Sequence, residues 1–281
     1  MLKGLPASGK STIANEMCQN KLVSRVNRDL LREMFNFGVY SGKNEKIVVE
    51  MEKTLVRNML SRGLEHVIVD DCNLNPSNEE MWRSVADECK AEFEVIEVDT
   101  PMEECIERDK ERVKSVGVDV IRNMALQYGR TSIDEPVVIC DIDGTIADIE
   151  HRRHYVRGEV KDWKGFFSEM DKDTVREDVY TILKKKEEEG NKIIFVSARP
   201  EDYKDVTTKW LLDNVPLKSE LMLFMRRSGD TRDDTIVKEQ IYNSYLKSMN
   251  ISLVIDDRPK VIRMWESLSL NVLDVGSGVE F

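Results

Sequence analysis

At 281 residues the chain is long enough for two domains of ordinary size, and with 41% hydrophobic and 34% charged residues it has the composition of a soluble globular protein. It contains no run of about 18 apolar residues, the length a membrane-spanning helix requires, and its first residues, MLKGLPASGK, lack the apolar stretch of a signal peptide. A net charge of −11 and a pI near 5.0 argue against a protein that coats nucleic acid, while leaving room for local basic patches.

In chain order, GLPASGKS comes first: Gly4, Gly9, Lys10 and Ser11 fit the pattern G-x-x-x-x-G-K-[ST]. Glycines in such a loop let backbone N–H groups turn inward around phosphate. Lys10 reaches the outer phosphate oxygens, Ser11 opens a helix where it can hold Mg²⁺, and Thr12 extends the same surface, so ATP is the expected ligand. The strand that should precede the loop is only 1–3. Segments 22–27, 67–69 and 93–98 read as strands, with helical spacing over 43–63 and over 77–90 after the capping turn N-L-N-P-S. This alternation implies a parallel sheet covered by helices. Asp29 follows the second strand, where a carboxylate could accept the proton of an attacking hydroxyl, and Arg32 one turn later could clamp a phosphate. Capping of the following helix is the purely structural alternative for Asp29. Asp70 and Asp71 end the next strand as candidates for Mg²⁺ or substrate-hydroxyl contact. Arg108 and Arg112, four residues apart, suggest two cations on one helical face, as a lid over the nucleotide would need; a salt-bridged surface is the alternative.

A polar segment, TSIDEP at 131–136, precedes a second α/β rhythm. Apolar VVIC at 137–140 runs into Asp141-Ile142-Asp143-Gly144-Thr145, followed by a helix at 173–190, strand 192–198, a helix through Trp210, strand 220–226, a helix near 237–248 and strand 252–257. Two charges at the end of a buried strand require a chemical return. Asp141 can attack phosphorus and form an acyl-phosphate. Asp143, two residues on, can protonate the leaving alkoxide and then deprotonate water. Such crowded anions call for a hard cation with oxygen ligands, Mg²⁺. His151 and His154 are too few for a metal assignment, and a basic loop is expected there. Arg152, Arg199, Arg226, Arg227 and Arg232 fall near strand ends and could form a basic mouth for a phosphodiester strand. The five cysteines are scattered and never form a C-x-x-C pair, so reduced thiols and a cytoplasmic setting are expected.

The D-x-D-G-T signature is that of the haloacid-dehalogenase-like phosphotransferases, and the remaining family positions follow in order: Ser197 after KIIFV, Lys238 at the start of a helix, Asp256 and Asp257 after SLVI. In that family the serine and lysine bind the phosphoryl group and the acidic pair anchors Mg²⁺. With the P-loop half in front, and with NRDLLR, DDCNLNP, VSAR, GDTRDD, IVKEQI and IDDR, the chain resembles the bifunctional polynucleotide 5′-kinase/3′-phosphatases of phage type over essentially its whole length. The resemblance implies a two-domain α/β fold, each domain a mainly parallel sheet flanked by helices: a P-loop kinase domain at 1–134 and a haloacid-dehalogenase-like phosphatase domain at 135–281. It implies Asp29 as general base on the 5′-hydroxyl, Arg32 and Asp71 on the acceptor nucleotide, Arg112 on the transferring phosphate, and Arg108 with the P-loop on ATP. In the second domain it implies Asp141 as nucleophile and Asp143 as acid/base. Arg152, Arg199, Asp234 and Lys238 would support substrate or nucleophile, with Asp257 on Mg²⁺ and Asp256 beside it. Cys72 and the short first strand depart from the pattern.

The implied activity is transfer of the ATP γ-phosphate to a polynucleotide 5′-hydroxyl and removal of a 3′-terminal phosphate, with a 2′,3′-cyclic phosphate as a further candidate substrate, in RNA repair. Implied partners are DNA or RNA ends, as single-stranded termini or nicks, and a second copy of the chain in a homo-oligomer, with no membrane. One other reading, a fused small-molecule kinase and phosphatase acting on a nucleoside or sugar, shares every phosphate-handling residue; a non-enzymatic ATP-dependent RNA-end sensor would need one site damaged, and all the expected groups stand in both.

Overall fold

A computed structural model describes residues 1–19, 22–36, 42–157 and 160–278. The chain divides into two compact units, Met1–Thr131 and Ser132–Phe281.

In the first unit, β1 (Leu2–Lys3) pairs in parallel with β4 (Ile96–Glu97), and β2 (Val23–Val26) with β3 (His66–Val69). Helices α1 (Lys10–Met17), α3 (Gly42–Ser61) and α4 (Pro76–Cys89) pack on these strands, α2 (Arg28–Asn36) follows β2, and α5 (Met102–Lys110) packs with α6 (Val118–Gln127) around Leu5 and Leu74. The sequence explains the boundaries. Asn75 caps α4 by accepting from Ser77 N at 3.1 Å, with Pro76 at the first helical position, where its missing N–H costs nothing. Of the strand expected at 93–98 only Ile96–Glu97 forms, because only this pair meets β1. Buried Val26, Val56, Val69, Trp82 and Val85 form one core, and Leu2, Ala14 and Ile68 another beside β1 and α1.

The second unit is built on a five-stranded parallel sheet in the order β11-β10-β5-β8-β9: β5 (Val137–Cys140), β8 (Lys192–Pro200), β9 (Leu223–Arg226), β10 (Ile251–Asp256) and β11 (Val272–Asp274). Central β5 is buried at all four residues, as an interior parallel strand covered on both faces must be. A small antiparallel pair, β6 (Ala147–Asp148) with β7 (Thr174–Val175), and α7 (Trp163–Ser168) lie between β5 and α8 (Glu177–Glu188). The helix expected at 173–190 therefore starts later, after β7. Helix α9 (Lys204–Asn214) precedes β9. Helix α10 (Asp234–Ile241), capped by Asp233, runs into a π-helical turn at Tyr242–Leu246 where a longer helix was expected, and α11 (Pro259–Ser267) joins β10 to β11. The carboxyl ends of β5, β8 and β10 deliver Asp141, Ser197 and Asp256 to one edge, the position where open α/β sheets bind ligands.

Candidate active sites

The first site begins where β1 turns into the P-loop. A Cβ on Gly4 would stand 2.6 Å from the Val98 carbonyl oxygen, and Gly9 caps α1 at φ +100°, so both pattern glycines answer a backbone demand. Lys10 is buried, and its Nζ donates back to the loop: to Gly4 O at 3.1 Å, Leu5 O at 2.5 Å and Ser8 Oγ at 3.3 Å. Ser11 and Thr12 are exposed at the helix start. Arg108 reaches the same loop, donating from Nη1 to Ser8 O at 3.2 Å.

Arg112 does not share a helical face with Arg108. Buried Asp109 accepts from Ser115 Oγ and from the N–H groups of Val116 and Gly117, which turns the chain, so α5 ends at Lys110 and Arg112 lies beyond it, 3.1 Å from Asp109. Asn27, not Asp29, caps α2, accepting from Leu30 N at 3.1 Å. Asp29 is left in the first turn with its side chain 80% exposed and paired to Arg32, which Glu45 also holds at 2.7 Å. Asp71 accepts from Arg28 N at 3.0 Å, and Arg28 Nε also pairs with buried Glu52 at 2.7 Å. Burial first, then Asp71, push the Glu52 carboxyl above its ordinary range, against the pull of Arg28. Asp70 is buried beside Arg25, at 3.1 Å.

The second site is a buried charge network. Asp141, Asp256 and Asp257 place carboxylate oxygens within 4.8 Å of one another. Lys238, also buried, bridges two of them, with Nζ 2.6 Å from Asp141 and 2.7 Å from Asp256. Thr145 Oγ1 stands 3.3 Å from Asp141 and 3.2 Å from Asp257. Burial and the neighbouring carboxylates push the Asp141 and Asp257 carboxyls upward, while Lys238, whose charge burial opposes, is held above its ordinary value by Asp141 and Asp256. Three buried oxygen ligands with an excess of negative charge fit a hard divalent cation. Gly144, at φ +84°, is required here: a Cβ would lie 2.2 Å from Asp257 Oδ2.

Asp143 is turned away from this cluster. Arg199 grips it from Nε at 2.9 Å and Nη2 at 2.6 Å, and Arg152 Nη2 also contacts it. Burial would raise its pKa, but Arg199 and then Arg152 outweigh burial and hold the carboxylate well below its usual range. Both arginines are fully buried and rest on Asp173, 2.6 Å from Arg152 Nη2 and 2.9 Å from Arg199 Nη2. Arg152, expected in an open basic mouth, is thus an internal clamp. His151 pairs with Asp173 at 3.0 Å.

A cavity of about 450 Å³ opens onto Asp141, Asp143, Arg199 and Lys238. Arg226 and Arg232 line it, but Arg226 is buried and donates to Ala198 O, Arg232 O and Asp234, so like Arg152 it is no open basic mouth; Arg227 is exposed and does not line the cavity. Arg226 and Arg258 converge on Asp234, Arg226 at 2.6 Å. Ser197 is buried, its Oγ accepting from Arg199 N at 3.2 Å. Of the expected metal ligands, the structure brings together Asp141, Asp256 and Asp257; Asp143 stands apart and Ser11 lies in the other unit. Sequence reasoning missed Asp173, whose partners lie 21 and 26 residues away with no local pattern to announce them. It also passed over Thr145, although D-x-D-G-T contains it.

Residues 135–280 match the family described as polynucleotide kinase PNKP phosphatase domain, and residues 1–136 match a family described as AAA domain. Among curated relatives, a protein named as a bifunctional polynucleotide kinase/RNA ligase of Autographa californica nuclear polyhedrosis virus is 29% identical over 297 aligned positions, covering 96% of this chain and 41% of that one. An L-seryl-tRNA(Sec) kinase of Methanococcus maripaludis is 28% identical over 129 positions, 44% of this chain and 49% of its own length. The chain thus spans less than half the length of these relatives. A solved structure of a Pnkp1/Rnl/Hen1 RNA repair complex contains a chain 27% identical, with 99% and 96% of the two chains covered and a TM-score of 0.45.

Proposed function

The chain belongs, through residues 135–280, to the family of polynucleotide kinase phosphatase domains, and on that premise we propose that it heals broken nucleic-acid ends in RNA repair, phosphorylating a 5′-hydroxyl from ATP and removing a 3′-terminal phosphate. The observation that carries this reading is the pairing, in one chain, of a complete P-loop with a cavity that holds a buried carboxylate nucleophile beside an arginine-clamped second carboxylate. The kinase domain is assigned to 1–134 and the phosphatase domain to 135–281.

In the phosphatase, Lys238 holds one oxygen of Asp141 and Thr145 the other, and Asp141 lines the cavity that would take the phosphate. Asp141 attacks, forming an acyl-phosphate, and water later releases it. Asp143 gives a proton to the leaving 3′-oxygen and takes one from that water. In the resting site its low pKa makes it a poor acid. A substrate phosphate entering the cavity meets Arg199, which lines it, and competes with Asp143 for that guanidinium. Asp141, Asp256 and Asp257 would hold Mg²⁺, which when bound neutralises the crowded carboxylates and polarises the phosphoryl oxygens. In the kinase, Lys10 exchanges its loop carbonyls for ATP phosphates, with Ser11 and Thr12 at the helix start and Arg108 and Arg112 alongside. Asp29, already exposed, accepts the proton of the 5′-hydroxyl, with Arg32 and Asp71 on the acceptor nucleotide.

The test offers radiolabelled ATP with a 5′-hydroxyl oligonucleotide, and separately a 3′-phosphorylated oligonucleotide, beside nucleoside monophosphates and sugar phosphates. Label transfer to the 5′ end and phosphate release from the 3′ end, each well above the small-molecule rates, are expected. Preference for the free nucleosides or sugars would overturn the reading in favour of a small-molecule kinase–phosphatase.

A further inference from the structure

Part of the phosphatase cavity is not made of phosphate-handling groups. Three aromatic residues of α7, Trp163, Phe166 and Phe167, line it. The three rings are rooted in graded fashion. Phe166 is 2% exposed and belongs to the core, Phe167 packs against that core, and Trp163 is the outermost ring, 44% exposed. Trp163 stacks on Phe167 with centroids 6.0 Å apart and planes at 24°, and meets Phe166 edge-on at 5.9 Å; Phe167 in turn leans on Tyr203 at 5.1 Å. The turn beneath is equally constrained. Asp162 caps α7 by accepting from Gly165 N at 2.8 Å, and a Cβ on Gly165 would sit 2.5 Å from that carboxylate and 2.7 Å from the Tyr155 ring. A large ring held half in water by a rigid base has little reason to be there for stability alone.

The shelf is also joined to the chemistry. The Arg152 guanidinium that clamps Asp143 lies 4.1 Å from the Phe166 ring centroid, and its Nη1 donates to Phe166 O at 3.3 Å. Lys161 Nζ lies over the Trp163 ring, 5.6 Å from its centroid, adding a cation that a phosphate-bearing ligand would meet there. An aromatic platform beside cations and phosphate-handling groups is the arrangement that accepts a nucleobase together with its phosphate, and about 450 Å³ is a volume suited to one small ligand. We propose that Trp163 is the stacking shelf for the base of the 3′-terminal nucleotide, held there while its phosphate meets Asp141. This rests on the polynucleotide reading of the phosphatase site. It makes the enzyme selective for a base-bearing end while leaving the identity of the base open, because every base has a π-face.

The test compares kcat/KM for 3′-phosphate release from two six-nucleotide substrates that differ only at the last residue, one with a normal base and one with an abasic tetrahydrofuran sugar. Wild type should prefer the base-bearing end by on the order of 10- to 100-fold. Trp163→Ala should collapse this ratio to within about threefold of unity, and Trp163→Phe, which keeps an aromatic face, should recover most of it. A wild-type ratio near one overturns the shelf without any variant, as does a Trp163→Ala protein that keeps the wild-type ratio. Glycerol 3-phosphate run alongside separates the two levels: if it outruns both oligonucleotides, the polynucleotide reading fails and the shelf with it. If both oligonucleotides are good substrates and are turned over equally, only the shelf fails.

Discussion

The two sites handle phosphate by opposite electrostatic means. In the first unit the cradle is backbone: a glycine-containing loop, a helix start, and a lysine that bonds to its own loop. The proposed base, Asp29, is 80% exposed and surface-paired, and an exposed pair of this kind contributes little to stability, about 1 kcal/mol at most. In the second unit the working groups are buried side chains: Asp141, Lys238, Arg199 and Asp257 are each no more than 5% exposed and each is paired. A loop of N–H dipoles is complete without its ligand. Three crowded carboxylates with one lysine between them are not, which is why the second site calls for a cation and the first can wait for its nucleotide to bring one.

The largest effect that could break this comparison is catalytic. Asp141→Asn should lower 3′-phosphatase kcat by on the order of 10⁴-fold or more, because an amide is no nucleophile, while 5′-kinase activity stays within a few-fold. Lys10→Ala should do the reverse, costing the kinase roughly 10²–10³-fold by removing charge from the transferring phosphate. Steady-state assays of both activities on each purified variant decide it; loss of both activities in a folded variant would mean that the sites depend on each other.

A smaller effect reads the missing positive charge directly. Mg²⁺ at 100 times its Kd should stabilise the phosphatase unit by about 2.7 kcal/mol, a rise in its Tm of roughly 5–10 °C. The same ion without nucleotide should leave the kinase transition in place. Asp257→Asn should melt higher than wild type in EDTA, with one repelling charge gone, and gain less from Mg²⁺. An equal Mg²⁺ shift in wild type and variant, followed by calorimetry, would show that Asp257 is not part of a cation site.

A last effect concerns Glu52, where the first unit behaves like the second. Its folded pKa is raised, by burial before Asp71. Below the ordinary glutamate pKa of about 4.3 both folded and unfolded chains carry the proton, and nothing is lost. Above it the unfolded chain gives up the proton first, so stability of the kinase unit falls as pH rises toward the folded value. Glu52→Gln, which keeps shape and a donor, should flatten that decline. Urea denaturation at pH 5, 7 and 8.5 measures it, and parallel profiles for wild type and variant would show that Glu52 is ionised when folded.

Much of this was legible in the chain because it is local. A P-loop is eight consecutive residues whose glycines and helix start create the site by themselves. D-x-D-G-T ends a strand that four apolar residues announce, and Asn75-Pro76-Ser77 writes the start of α4 in three letters. The same locality explains why Ser197, Asp256 and Asp257 could be assigned in order, within or just after a strand of the sheet, whereas Lys238, read as opening a helix, lies in the last turn of α10. What no spacing revealed was which charges would meet. Asp109 ends α5 early and takes Arg112 off the face of Arg108, through donors that lie six to eight residues on. Arg152 became an internal clamp on Asp143 and not a rim cation, because Asp173, far along the chain, arrives beside it. Sequence determines which side chains stand at strand and helix ends, since those positions follow from short-range periodicity and backbone hydrogen bonding. Whether an arginine there faces solvent or a buried carboxylate is decided only by packing between distant segments, where desolvation makes an unpaired charge too costly to keep.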